Sequence, residues 1–255
     1  MSMKLFDHLE IPYEDNADKQ DYTIQCLYCG SDNCSISKAE GNVWQCWKCH
    51  ESGNALTLMQ RFYAELPKLT PSNARQFLAK KRGVSFRTMV SEGLRYDGQY
   101  YWFPVWNQNE KLVALHKYSV QTNIAYASPK PWSCSVLGLS QLTSSSEIYI
   151  AEGHADYLVM RELLKDSKID LLGTCGSGFS GNYMHVLRDK DVTLLFDNDD
   201  AGRQGVQSVA RRLKSTGTSV NSIKFLDWSK ITLSEHSVIP DKFDIRDLVL
   251  SLRDA

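Results

Sequence analysis

No apolar run in this chain is long enough to cross a bilayer. The opening residues, Met1-Ser-Met-Lys-Leu-Phe-Asp-His8, hold no apolar h-region and no small-residue cleavage site. The expectation is therefore a chain without a signal peptide, working in the cytoplasm. There is no G-x-x-x-x-G-K-[ST] segment, so no P-loop motor is expected within these residues. No internal repeat is visible, and the serine run Ser144–Ser146 reads as a linker. Charge of one sign is also missing. The 29 Lys and Arg nearly balance the 30 Asp and Glu, giving a net charge of −1. That excludes a protein that coats nucleic acid by bulk basicity, and any contact with nucleic acid must be local.

Cysteine is scarce except in one place. Of seven cysteines, five fall between Cys26 and Cys49. In a cytosolic chain such clustering favours metal over disulfides. Cys26 and Cys29 form one C-x2-C pair, Cys46 and Cys49 another, with sixteen residues between the pairs. Each pair sits on a tight turn, and the intervening hairpin returns the second pair to the first. Four thiolates then close a tetrahedral shell around one structural Zn2+. Cys34 and His50 are weaker alternatives, because either would break the paired symmetry. Cys134 and Cys175 stand apart and read as buried thiols. A ribbon of this size has little core of its own, so metal binding and folding are one event. Trp44 and Trp47 flank the second pair, and each is expected to pack on the ribbon rather than to stack on unpaired bases.

Beyond the ribbon, Asn54 is a candidate N-cap for a helix with apolar positions Leu56, Met59 and Phe62. Pro67 and Pro71 break the pattern, which puts a linker at 64–72. Helices are expected over Asn73–Lys81 and Phe86–Glu92, then two strands at 100–106 and 111–118 around an Asn107–Glu110 turn. From residue 147 the pattern alternates strand and helix. Strands are expected at Glu147–Ala151, Ile169–Leu172, Asp191–Phe196 and Val220–Leu226. Helices are expected at 154–165, 181–188 and 201–215. This order implies a mostly parallel sheet with helices on both faces.

Glu152, Asp197 and Asp199 all fall at the carboxyl ends of expected strands, the edge where open parallel sheets hold ligands. Three crowded carboxylates repel unless a cation lies between them. Hard oxygen ligands with open positions suit Mg2+ or Mn2+. Asp200 is read as the cap of the helix that follows. Lys80, Lys81 and Arg82 form one compact basic run. A second, Arg203 with Arg211, Arg212 and Lys214, reads as a solvated helix face.

Two motifs now stand out: Glu152-Gly-His-Ala-Asp156, and Asp197-Asn-Asp199-Asp-Ala-Gly202. They resemble the E-G-x-x-D and D-x-D-x-A-G strand ends of Toprim domains. With a cysteine ribbon in front, nearly the whole chain resembles the DnaG-type primases, in the layout of the primase part of phage primase–helicases. The resemblance implies an α/β chain: a β zinc ribbon (1–63), a linker (64–72), an α+β N-terminal subdomain of an RNA polymerase core (73–143) and a Toprim subdomain (144–255). Asp244 and Asp247 resemble the later acidic pair of the family. Arg82-Gly83-Val84-Ser85 resembles its R-G-I/L-S segment.

The family implies synthesis of short RNA primers from ribonucleoside triphosphates on single-stranded DNA. Glu152 orients or deprotonates the attacking hydroxyl. Asp197 and Asp199 hold Mg2+ or Mn2+, and Asp244 and Asp247 complete a second ion site. Lys117 falls where relatives carry a basic residue facing phosphates. Lys80, Lys81, Arg82 and Lys130 are further phosphate candidates, with Ala125 standing where the family has lysine. The ribbon reads the template, and a replicative helicase is the implied partner, in cis or in trans. Two rival readings use the same modules: a non-catalytic zinc and Toprim clamp of the recombination-mediator type, and a Toprim nuclease. Roughly a hundred residues separate Cys49 from Glu147, room for a polymerase subdomain that a clamp does not need.

Overall fold

The computed structural model describes residues 5–15, 17–38, 43–130, 136–176, 178–233 and 238–254. Cys134 lies outside them. The chain opens with α1 (Leu5–His8), followed by an antiparallel sheet of β1 (Tyr13–Glu14), β2 (Asp21–Ile24), β3 (Cys34–Ser37), β4 (Trp44–Cys46) and β5 (Ser52–Gly53). Alternation along β3 and β4 turns Cys34, Ile36, Trp44 and Cys46 inward. Trp44 is buried and its indole N–H donates to the Asn54 carbonyl. Trp47 is 57% exposed, against the expectation that it packs. Helix α2 (Ala55–Glu65) starts at the expected cap: Asn54 Oδ1 accepts from the N–H groups of Leu56 and Thr57, and Thr57 answers the Asn54 N–H.

Helices α3 (Pro71–Lys80) and α4 (Phe86–Ser91) lead to a second antiparallel sheet. It consists of β6 (Arg95–Tyr96), β7 (Tyr101–Trp106), β8 (Leu112–Ser119) and β9 (Ile124–Tyr126), in that order. The β7–β8 turn is held by Asn107, whose Oδ1 accepts from the N–H groups of Asn109 and Lys111. Both faces of this sheet are covered. Tyr101, Phe103, Val105 and Ala114 join a core with Phe77 of α3, while Trp102, Leu112 and Leu115 join the core of the ribbon.

The third sheet is wholly parallel. It comprises β10 (Glu147–Ala151), β11 (Asp170–Gly173), β12 (Asp191–Leu195) and β13 (Ser222–Phe225), in the order β11-β10-β12-β13. Helix α5 (His154–Leu163) follows β10 and α6 (Asp200–Thr216) follows β12; α7 (Ile245–Asp254) ends the described chain. Ile148, Ile150, Val192 and Leu194 face α6, where Val209 and Leu213 meet them. Ala151, Leu171 and Leu195 face the opposite way, onto Tyr157 and Leu158 of α5 and Ile245 of α7. Helices therefore cover both faces, as expected. Residues Gly181–Leu187 form the short helix expected there, of the 3-10 type. No helix among the described residues is long and apolar enough to cross a membrane.

The strand order creates a crevice. β10 connects outward to β11 on one side, and β12 connects outward to β13 on the other. The carboxyl ends of β10 and β12 therefore flank a topological switch point, with Ala151 paired to Leu195 just before it.

Candidate functional site

The sulfurs of Cys26, Cys29, Cys46 and Cys49 gather within 4.8 Å of one another. Cys26 Sγ lies 3.7 Å from Cys49 Sγ, and Cys29 Sγ 3.7 Å from Cys46 Sγ. A Zn–S bond of about 2.3 Å gives a tetrahedron with an edge of about 3.8 Å. The quartet therefore fits zinc. The N–H of Cys49 lies against Cys46 Sγ at 3.5 Å. Cys34 stands outside the quartet, and burial pushes its thiol up to about 12. His50 is exposed, in a left-handed turn at φ 64°.

The acids gather at the crevice. Glu152 is buried at the end of β10, and its Oε2 accepts the backbone N–H of Asp197 at 3.2 Å. Burial, followed by Glu152, Asp244 and Asp199, pushes the Asp197 carboxyl up to about 8. Asp197 Oδ1 has no hydrogen-bond partner among the described residues. Asp199 is the cap of α6, where its Oδ1 accepts from Gly202 N–H at 2.7 Å. The expected cap, Asp200, is instead exposed and paired with Arg203. The reason is backbone geometry: Asp199 has the extended φ and ψ of a cap, while Asp200 already lies in the helix. Gly202 is required here, because a Cβ would run into the carbonyl oxygen of Asp197.

Two residues with no role expected from sequence belong to this edge. Asp156 is buried in the first turn of α5, and its Oδ1 has no hydrogen-bond partner among the described residues. Burial, then Asp244 and Asp197, holds its carboxyl well above the usual range. The motif E-G-x-x-D was the signal for it. Arg246 had no signal. Its guanidinium lies 2.6 Å from Asp244 and 3.7 Å from Asp247. Asp244 and Asp247 also hydrogen-bond each other's backbone N–H at the start of α7. The pair expected to complete a second ion site thus already faces a cation.

Among the described residues, no three carboxylates bring oxygens within 4.8 Å of one another. This suits a hydrated Mg2+, which keeps several waters and is bound by one or two carboxylates plus substrate phosphates. Glu152 and Asp197, which line one cavity, are two carboxylates of the kind such an ion needs.

The basic residues divide. A cavity of about 230 Å3 faces the acids, lined by Phe77, Lys81, Tyr118, Asn123, Glu152 and Asp197 among others. Of the expected phosphate contacts, Lys81 alone lines it. Burial, helped by Arg246, lowers the Lys81 pKa. Lys80 donates to the Val120 carbonyl, and Arg82 and Lys130 are exposed. Lys117 is buried, paired with Glu10 and ringed by Tyr100, Trp102 and Tyr126. Its neighbour His116 reaches the α5 side instead, 3.0 Å from His154. Successive residues of a strand face opposite ways, so β8 turns Lys117 toward the ribbon and away from the acids.

A ribbon of four cysteines, a middle antiparallel sheet and a parallel sheet with acids at its switch point together make the fold of the DnaG-type primases. A family model described as Toprim-like matches residues 149–231. The primase fragment of the bacteriophage T7 primase-helicase protein aligns with a TM-score of 0.52, covering 91% of this chain and 95% of that one at 19% identity. A DnaG primase catalytic domain bound to single-stranded DNA aligns at 0.57, covering 76% and 74% at 14% identity. At such identities the likeness is one of fold. By sequence, the uncharacterized protein MG010 homolog of Mycoplasma pneumoniae is 31% identical over 193 residues, 69% of this chain and 89% of that protein. The chain belongs to the family of that protein.

Proposed function

We propose that this chain is a primase, joining ribonucleotides into short RNA primers on single-stranded DNA. The observation that carries the reading is the meeting of Glu152 and Asp197 at the switch point, opposite a cavity that Lys81 also lines. Residues 1–63 serve as template reader, 64–72 as linker, 73–143 as polymerase N-terminal subdomain and 144–255 as the Toprim subdomain. Glu152, Asp197 and Asp199 would hold a divalent ion, which when bound supplies positive charge against the triphosphate. Lys81 adds a fixed cation on the other wall of the cavity. Glu152, hydrogen-bonded by the Asp197 N–H, is oriented to accept a hydrogen bond from the attacking 3′-hydroxyl. The protein's part is positioning and electrostatics rather than covalent chemistry.

The ribbon supplies an exposed aromatic surface for a template. Trp47 stands at a groove lined by Lys19, Gln20, Thr23 and Asn33. Aromatic stacking is worth about 1–3 kcal/mol per base. Trp47→Ala is expected to weaken single-stranded DNA binding by about fivefold to 150-fold, read by fluorescence anisotropy. Unchanged binding would end the reader role for Trp47. The T7 relative is the primase part of a primase-helicase, and a helicase is the partner this reading implies.

Incubation with NTPs, Mg2+ and single-stranded DNA tests the whole reading. Short RNA products are expected, and Asp197→Ala is expected to lower their yield at least a hundredfold with the melting temperature kept. Shortened DNA would instead mark a nuclease, and a mobility shift without products a clamp.

A further inference from the structure

His116, His154 and Cys175 come from three separate elements and lie far apart in sequence. His116 is on β8, His154 opens α5 and Cys175 follows β11. One ligand-type atom from each lies within 4.8 Å of the other two. His116 Nδ1 and His154 Nε2 stand 3.0 Å apart, and both side chains are buried. Two imidazole nitrogens this close are joined either by an N–H···N hydrogen bond between neutral rings or by a metal ion that takes both lone pairs. The far nitrogens, His116 Nε2 and His154 Nδ1, have no hydrogen-bond partner among the described residues. No acceptor among the described residues therefore selects the tautomer of either ring.

The three positions are held by backbone rather than by flexible arms. Phe103 pairs with His116 across β7 and β8 and also packs edge-on against His154. Gly153 N–H donates to the Thr174 carbonyl, and Thr174 N–H to the Ala151 carbonyl. The loops bearing His154 and Cys175 are thus laced together.

We propose that His116, His154 and Cys175 form a second metal site of this chain, an N2S site for a zinc-class divalent transition ion, distinct from the cysteine quartet and from the carboxylates. Two imidazoles and a thiolate are borderline-soft ligands that suit Zn2+ or Co2+ and not Mg2+. Metal–nitrogen bonds of about 2.0–2.1 Å place tetrahedral nitrogens about 3.3 Å apart. The observed 3.0 Å is within a few tenths of an ångström of that spacing. Three protein ligands leave a fourth position open, and His154 and Gly176 both line the cavity that faces the acids. On binding, the ring that donates in the His–His hydrogen bond moves its proton to its own far nitrogen. The Cys175 thiol releases one proton to solvent. The ion would tie β8 to the two loops that position Glu152. This assignment does not depend on primase activity.

The test uses the full chain purified with zinc, in buffer holding enough Mg2+ to occupy the carboxylates. Metal analysis after desalting is expected to find about two zinc ions per chain, falling to about one in Cys175→Ser and in His116→Gln. Cobalt added to protein whose zinc occupies the quartet alone is expected to give a thiolate-to-cobalt absorption band with no zinc released, and Cys175→Ser is expected to lose it. A single zinc per native chain with no such band would overturn the site. So would two zincs that persist in folded Cys175→Ser. The native protein decides the matter even where a variant does not fold.

Discussion

Arg246 shows how far one side chain can alter an acidic edge. It lies among Asp244, Asp247 and Asp156, and each of these raises its pKa although burial opposes them. Asp244 is still pushed upward, chiefly by burial. Replacing the guanidinium with a neutral group leaves half-buried carboxylates facing one another. Breaking a buried pair in this way costs about 3–5 kcal/mol, and Arg246 belongs at the lower end because some of it meets solvent. Arg246→Asn is therefore expected to lower the melting temperature, and Mn2+ is expected to restore it by more than it raises the native protein. Equal responses to Mn2+ would show that Arg246 does not stand where an ion would otherwise be drawn. Asp244 and Asp247 hold each other's backbone N–H groups and Arg246. Nothing in the spacing D-x-x-D tells whether the arginine between them turns inward.

At the scale of elements, the start of α6 decides the geometry of the acids. Asp199 caps the helix, Gly202 lets the first turn close on the Asp197 peptide, and the backbone N–H of Asp197 meets the Glu152 carboxylate. Gly202→Ala inserts a methyl against the Asp197 carbonyl. Overpacking of this kind costs about 1–3 kcal/mol. The variant is expected to lose that much stability in urea unfolding, and to lose primer synthesis more steeply than stability because Asp197 must move. Native-like activity would show that the loop adapts. The acids at strand ends were legible from sequence, since a parallel strand followed by a turn is a local pattern. The choice of cap between Asp199 and Asp200 was not, because adjacent acids differ only in the backbone angles the fold imposes. Strand β8 gives the same lesson. Its existence follows from composition, but its register decides that His116 faces α5 and Lys117 faces Glu10.

Across the whole molecule, the middle sheet joins the ribbon to the parallel sheet. His8 Nε2–H donates to the Leu115 carbonyl at 2.7 Å, tying α1 to β8. The ring is buried, packs against Trp102 and has Lys117 and Glu10 as charged neighbours. Burial leads in lowering its pKa from 6.5 to about 4. The unfolded chain thus binds a proton there that the folded chain refuses. The stabilisation is complete above about pH 6.5 and is lost as pH falls from there through about 4, up to about 3 kcal/mol in all. Melting temperature is expected to fall over that window, and His8→Gln is expected to flatten the fall. A parallel decline in both proteins would assign the acid sensitivity to other groups.

Sequence alone determined the cysteine quartet, the alternation that builds a parallel sheet, and the acids at its carboxyl edge. Each of these depends on spacing within a few residues, and the chemistry of tight turns and strand ends is local. Only the tertiary structure decided that Arg246 enters the acids, that Lys81 and not Lys117 lines their cavity, and that His116, His154 and Cys175 meet. Those outcomes depend on which face of an element turns inward and on what a distant segment packs against it, and no short stretch of sequence encodes either.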